Sequence, residues 1–260
     1  MELTITVTPY TNDKDNMLGF ANVVIDNSFV LENIRIKEGR IKEYIDLPKY
    51  QMAKKDYNGN AMFSADGKPL HDYKDVFHPS NPKVNKEFVE AIINEYRRVI
   101  NEGKENQKSG TYQLEGSFAI SKVFASEYNR EGINGQLPIR GIATVNFGDS
   151  FTLEKVRIKD GPYGLFADLP KYRTFKRDDA GIPVLDENGN NEFEYRDCFH
   201  AITKEAQVAL SDSILDAFNR TPPKSASKAE TNSVDNSYPP IPDESYDPLL
   251  YSPNSGQGRK

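Results

Sequence analysis

Slid against itself by 122 residues, the sequence falls into register. Ala21-Asn22-Val23 and the run from Ser28 to Gly39 lie over Ala143-Thr144-Val145 and the run from Ser150 to Gly161. The same offset carries Asp46-Leu47-Pro48-Lys49-Tyr50 onto Asp168-Leu169-Pro170-Lys171-Tyr172. It also carries Tyr73-Lys74-Asp75-Val76-Phe77-His78 onto Tyr195-Arg196-Asp197-Cys198-Phe199-His200. Three blocks at one offset, with no gap, mark a duplicated domain. Whatever one copy folds into, the other must fold into as well, and 260 residues suit two cores of that size.

Each copy reads as strands followed by one helix. Leu3-Thr4-Ile5-Thr6-Val7 and Phe20 to Ile25 are β-rich, with turn chemistry at Asp26-Asn27. Phe29, Leu31, Ile34 and Ile36 mark the next strand, and its phase shifts between Leu31 and Ile34. Alternation cannot put all four on one face, so a bulge or twist is expected there. Tyr44 to Leu47 ends at Pro48, which cannot donate to a ladder. Copy two repeats the plan, with strands expected at Phe118 to Val123 and near 139–147, 150–159 and 163–169. Val84, Phe88, Ile92, Tyr96 and Val99 then form a helical stripe behind Asn81-Pro82, and Ala206, Leu210, Ile214 and Phe218 form another behind Thr203. The fold class expected is α+β, an antiparallel β-meander with a C-terminal helix packed on it, in two tandem copies.

The domain plan is 1–101 for the first copy, 102–113 for a linker, 114–220 for the second copy and 221–260 for a tail. The tail carries seven prolines among Ser, Asn and Asp without periodicity, so it is expected to be disordered. The long polar segments 51–72 and 173–194 hold turn signals (Asn58-Gly59, Asp66-Gly67, Ala180-Gly181, Asn188-Gly189) and read as protruding hairpins.

Composition excludes several classes. No window of apolar residues is long enough for a membrane span, and the N-terminus has neither a basic flank nor an apolar signal region, so a cytoplasmic protein is expected. One cysteine, Cys198, rules out a disulfide framework and Cys-based zinc sites; three histidines make a His-rich metal site improbable, so no cofactor or metal is expected. Net charge is −6, with 16 cations against 17 carboxylates over 1–110 and 13 against 17 over 111–220. Nucleic-acid binding must therefore rest on a local patch.

The run Ser150 to Gly161, followed by Gly164-Leu165-Phe166-Ala167-Asp168-Leu169-Pro170 and Arg173-Thr174, resembles the SpoVG family of bacterial septation and sporulation regulators. Tyr195-Arg196-Asp197-Cys198-Phe199-His200 is similar to the aromatic-Arg-Asp segment ahead of that family's helix. In copy one Phe77-His78-Pro79 and Asn94-Glu95-Tyr96 resemble its His-Pro and helix signatures. Members are small proteins that dimerise through their sheets and bind DNA and RNA as regulators. The resemblance thus implies an intramolecular pseudo-dimer, a non-enzymatic nucleic-acid-binding function, and nucleic acid as partner. Copy one departs from the pattern at Lys42-Glu43-Tyr44 and at Gln51, where copy two keeps Arg173.

Lys171, Arg173, Lys176 and Arg177 place four cations within seven residues, positioned to reach phosphates, and Tyr172 and Phe175 between them could stack on unpaired bases. Lys49, Lys54 and Lys55 are the copy-one counterparts. Arg35 and Lys37, with Arg157 and Lys159, share strand faces and are expected to pair with Glu32, Glu38, Glu154 and Asp160 as ordinary surface ion pairs. Asp75 with His78, and Asp197 with His200, are read as pins at a strand-to-helix junction rather than acid–base pairs. Cys198 is read as a small core residue. Asp186 to Glu192 resembles a calcium loop only superficially, since its glycine is misplaced. The alternative function is a protein-interaction module, docking a division or regulatory partner through sheet edges or the tail, with further self-association possible at those edges.

Overall fold

The computed structural model describes residues 1–12, 16–103, 109–132, 135–178 and 182–221, so the tail expected over 221–260 lies outside the described residues from 222 onward. Copy one runs β1 (Glu2–Asn12), β2 (Met17–Ile25), β3 (Phe29–Glu38), β4 (Glu43–Asp46), β5 (Lys49–Ala53), β6 (His71–Asp75), β7 (Phe77–Pro79) and α1 (Pro82–Glu102). After β8 (Gly110–Gln113) copy two repeats the order as β9 (Ile120–Arg130), β10 (Ile139–Phe147), β11 (Phe151–Gly161), β12 (Gly164–Asp168), β13 (Lys171–Phe175), β14 (Phe193–Asp197), β15 (Phe199–Ala201) and α2 (Lys204–Arg220). The α+β meander-and-helix fold is the one expected from the sequence. Asn81 caps α1 by accepting the Val84 amide at 2.9 Å, and Thr203 caps α2 by accepting that of Ala206 at 3.2 Å.

Two differences from expectation concern strand ends. The first strand of copy two starts at Ile120 rather than Phe118 and continues to Arg130. Phe118 leaves the ladder because its ring stacks on Phe147, centroids 4.4 Å apart. Within the expected linker, β8 pairs antiparallel with β1 from Glu2 to Ile5. A buried carboxylate fixes it: Glu95 of α1, fully inaccessible, accepts from Tyr112 Oη at 3.0 Å and from Arg98. A Cβ on Gly110 would collide with the same carboxylate, so a larger residue there would have to displace Glu95.

The two copies complete each other's sheets. The order of the first sheet is β15-β3-β2-β1-β8, with β4 also on β3; that of the second is β12-β11-β10-β9, with β7 also on β11. Thus β7 of copy one pairs with Phe151–Leu153, and β15 of copy two pairs with Phe29–Leu31. The exchange is reciprocal bond by bond. Glu154 N donates to Val76 O at 2.7 Å and Glu32 N to Cys198 O at 2.8 Å; Ser80 N donates to Ser150 O and Ile202 N to Ser28 O, both at 2.8 Å. Phe77 and Phe199 stack at the centre of this exchange with centroids 4.9 Å apart, ringed by Phe29, Phe118, Phe147 and Phe151. One continuous core therefore serves both copies.

The phase shift read in β3 is a bulge. Ala21 faces Ile34 and Val23 faces Leu31, so Glu32 and Asn33 together oppose Asn22. Asn33 takes a left-handed φ of 60° and its amide donates to Asn22 Oδ1 at 3.1 Å. Leu31, Ile34 and Ile36 thereby share the buried face. In copy two Lys155 occupies the bulge at φ 64°.

Both long segments are arms. In the first, built on β5 and β6, Lys54 N donates to Leu70 O, Leu70 N to Met62 O and Met62 N to Lys54 O, a closed ring of three bonds among residues spaced eight apart. Lys176, Val184 and Glu192 close the same ring in the arm built on β13 and β14. Its turn uses Asp186 Oδ1 to accept the amides of Asn188 and Asn190.

Candidate nucleic-acid interface

The cations singled out in the sequence fall into two sets. One set is drawn inward, around a buried aspartate in each copy. Arg35, Lys37 and Asp46 sit on one face because Asp46 lies directly opposite Arg35 across β3 and β4. Lys37 Nζ is 3.0 Å from Asp46, Arg35 3.9 Å, and Lys49 bonds the other oxygen of the same carboxylate. In copy two Arg157 and Lys159 each lie 3.0 Å from Asp168 and Lys171 3.2 Å from it. Lys171 also reaches Asp197 at 2.5 Å, as Lys49 reaches Asp75 at 3.7 Å. The expected pairing with Glu32, Glu38, Glu154 and Asp160 is thus corrected: the hub is the aspartate of the repeated Asp-Leu-Pro-Lys-Tyr block.

Burial alone would raise the Asp168 pKa, but Arg157, Lys171 and Lys159 outweigh it and hold the carboxyl below the usual range. Asp46 is lowered in the same way, burial being outweighed by Lys49 and Lys37. Burial likewise opposes the charge on Lys171, yet Asp197 and Asp168 raise its pKa overall. Each copy gathers three cations around two carboxylates, Asp46 and Asp75 in the first and Asp168 and Asp197 in the second.

Tyr172 is also drawn inward. Its side chain is buried and its hydroxyl donates to Glu32 of the opposite copy at 3.0 Å, while Tyr50 donates to Glu154 at 3.3 Å. Burial, then Glu32, pushes the Tyr172 hydroxyl well above its ordinary pKa. A ring so placed offers no face to a base, and Phe175, stacked on Phe193 at 5.1 Å, already has an aromatic partner.

The second set lies on the arms. Lys176 is 2.5 Å from Glu192, Arg173 lies 3.5 Å over the Phe193 ring, and Arg177 faces Pro183 in a lone bridge. In the first arm Lys54 stands 4.0 Å from Asp72 and Lys55 faces Ala61. Over residues 49–75 the first arm has five Lys and Arg against four Asp; over 171–197 the second has five against seven carboxylates. By net charge the first arm is the more cationic of the two, although copy two keeps the Arg173 that copy one lacks.

Of the two junction histidines, His78 is tied both locally and to the opposite copy. His78 Nε2 is 3.6 Å from Glu154 and its Nδ1 3.2 Å from Pro79 O, whereas the Nδ1 of His200 is buried without a hydrogen-bond partner among the described residues. Cys198 is fully buried, its Sγ 3.1 Å from Pro170 O, and burial pushes its thiol up to about 12. Sequence reasoning missed the roles of Asp46 and Asp168, and it gave Glu32 and Glu154 to strand cations where they accept from Tyr172 and Tyr50. The signal available was the Asp-Leu-Pro-Lys-Tyr block recurring beside an Arg-x-Lys strand in both copies. No helix among the described residues is long and apolar enough to cross a membrane.

Comparison with known proteins agrees with this architecture. The family model described as SpoVG matches residues 1–98 and again 120–220. Similar relatives include the septation proteins SpoVG of Phytoplasma australiense (29% identical over 83 residues, 32% of this chain and 70% of the relative) and of Clostridium novyi strain NT (28% over 91 residues, 35% and 75%). That of Geobacillus thermodenitrificans strain NG80-2 is 26% identical over 110 residues, 42% of this chain and 98% of the relative. No solved structure gives a significant match. Each relative spans about one copy of the duplicated unit.

Proposed function

Since this chain belongs to the SpoVG family, whose similar members are named septation proteins, we propose that it is a non-enzymatic regulatory protein of the septation and sporulation type that binds DNA or RNA. The observation that carries this reading is the repetition of Arg35, Lys37 and Lys49 around Asp46 as Arg157, Lys159 and Lys171 around Asp168. Each hub fixes three cations with one positive charge in excess of its two carboxylates. A fixed cation loses little side-chain entropy on meeting a phosphate. Lys54, Lys55, Arg173, Lys176 and Arg177 on the arms extend the contact outward, and duplication lets one strand engage both copies at high effective concentration. The partner is nucleic acid, met in the cytoplasm.

A salt titration of binding tests it. Affinity for DNA or RNA should fall steeply with added salt, and the slope should flatten in a Lys54→Ala/Lys55→Ala variant and less in Lys176→Ala/Arg177→Ala. Binding that is absent at low salt, or indifferent to salt, contradicts the reading.

One observation favours a protein-docking role beside it. The outer edge of β9, eleven residues long, has no strand paired to it among the described residues, whereas β1 is partly covered by β8. A Ser126→Pro variant that loses a division partner from a pull-down while keeping nucleic-acid affinity would support that role.

A further inference from the structure

We propose that the solvent-facing side of each sheet is a stacking platform for the unpaired bases of single-stranded nucleic acid, centred on Tyr44 in copy one and Phe166 in copy two. The proposal rests on the nucleic-acid reading above and adds where bases, rather than phosphates, are met. The two residues are equivalent under the repeat offset, and each stands directly opposite a hub lysine: Tyr44 faces Lys37 and Phe166 faces Lys159. Directly opposed residues share a face, so ring and cation are presented side by side.

Both rings are fixed by the same device. A Cβ on Gly39 would fall 3.3 Å from the Tyr44 ring, and one on Gly161 would fall 3.1 Å from the Phe166 ring. Each ring thus lies close to a turn glycine, Gly39 just after β3 and Gly161 at the end of β11. It is nevertheless 45% exposed for Tyr44 and 39% for Phe166. Held about half in water at equivalent places in both copies, these two side chains stand outside the core cluster. Their geometry suits a flat ligand that stacks.

The rest of each face extends the platform. In copy one Phe20 lies directly opposite Arg35, and Tyr10, 47% exposed, packs on Phe20 with centroids 5.8 Å apart. In copy two Lys122 Nζ sits 4.4 Å over the ring of Phe124, which is 51% exposed on the same face. Aromatic faces beside cations recognise single strands because unpaired bases offer π-faces beside their phosphates. A duplex buries those faces in its own stack and can meet only the cations. Charge complementarity with phosphate and two exposed, glycine-backed rings select a single strand as the occupant.

The test measures fluorescence anisotropy of the full chain with labelled oligo-dT and with a labelled duplex of matched length. Single strand is expected to bind more tightly than duplex. Tyr44→Ala/Phe166→Ala should weaken single-strand binding about tenfold or more, with duplex binding within about twofold and the salt slope unchanged. Tyr44→Leu/Phe166→Leu keeps apolar bulk on the glycines and should lose as much, whereas Tyr44→Phe should retain affinity. Equal affinity for both probes in the parent, or leucine variants that bind oligo-dT normally, overturns the platform while leaving the nucleic-acid reading intact. Failure of both probes at low salt removes that reading, and the platform with it.

Discussion

Asp168 shows how one side chain organises its surroundings. At 8% exposure it would be costly alone, and Arg157, Lys159 and Lys171 compensate it. Asp168→Asn leaves three cations facing one another. Because Lys171 is about a third exposed, solvent screens part of the effect, and the expected cost is about 2 kcal/mol at neutral pH, read from urea denaturation. The sign with pH follows from the lowered pKa. The carboxylate's contribution is complete above the unfolded value of about 4 and disappears as pH falls through the lower folded value. The gap between parent and variant should therefore narrow as pH is lowered below about 4, and a gap independent of pH would contradict the hub. Asn33 is decided by backbone instead. Its left-handed φ favours Asn or Gly, so Asn33→Ala should cost about 1 kcal/mol while Asn33→Gly stays close to the parent, both measured by denaturant midpoint.

Among the elements, the exchanged strands β7 and β15 carry the most consequence for their length. Each has three residues, yet each seals the outer edge of a strand in the other copy and inserts a fully buried phenylalanine between the sheets. Phe77→Ala should cost about 3–5 kcal/mol. Combined with Phe199→Ala it should show a coupling of about 0.5–1.5 kcal/mol in a double-mutant cycle, since the two rings stack on each other. Additive losses would mean that the pair does not communicate. This exchange was not legible in the sequence, because Phe77-His78-Pro79 is too short for alternation to show and its partner lies more than seventy residues away. Duplicated copies also give matching hydrophobic patterns, so pattern alone cannot say which copy a strand joins. What was legible rests on local physics: both helices from their stripes and caps, and the bulge from the phase shift at Leu31 and Ile34. The candidate site was half legible. Its cations were visible, but Lys171 and Tyr172 turn toward Asp168 and Glu32, partners set by tertiary packing rather than by neighbours in sequence.

At the scale of the molecule the duplication creates one folding unit rather than two. Among the described residues, the outer edge of β3 at Phe29–Leu31 is paired by β15 alone and that of β11 at Phe151–Leu153 by β7 alone, and the aromatic cluster between them draws rings from both copies. Tyr50 and Tyr172 reach across to the opposite bulges as well. A single copy cut out of the chain would expose that edge and half of the aromatic cluster to water. The full chain should therefore unfold in one transition, with far-UV and near-UV circular dichroism giving the same midpoint. A fragment of residues 1–103 should have only two options, to remain unfolded or to pair with a second fragment that supplies its own β7 to the open edge. The linked chain avoids that choice because each copy is permanently at high effective concentration to the other. Sedimentation of the fragment across a dilution series decides the matter. A dimer that dissociates together with loss of structure, or an unfolded chain throughout, agrees with a shared core. A folded monomer, or two separate transitions in the full protein, would show that each copy holds its own core and that the exchanged strands are an accessory.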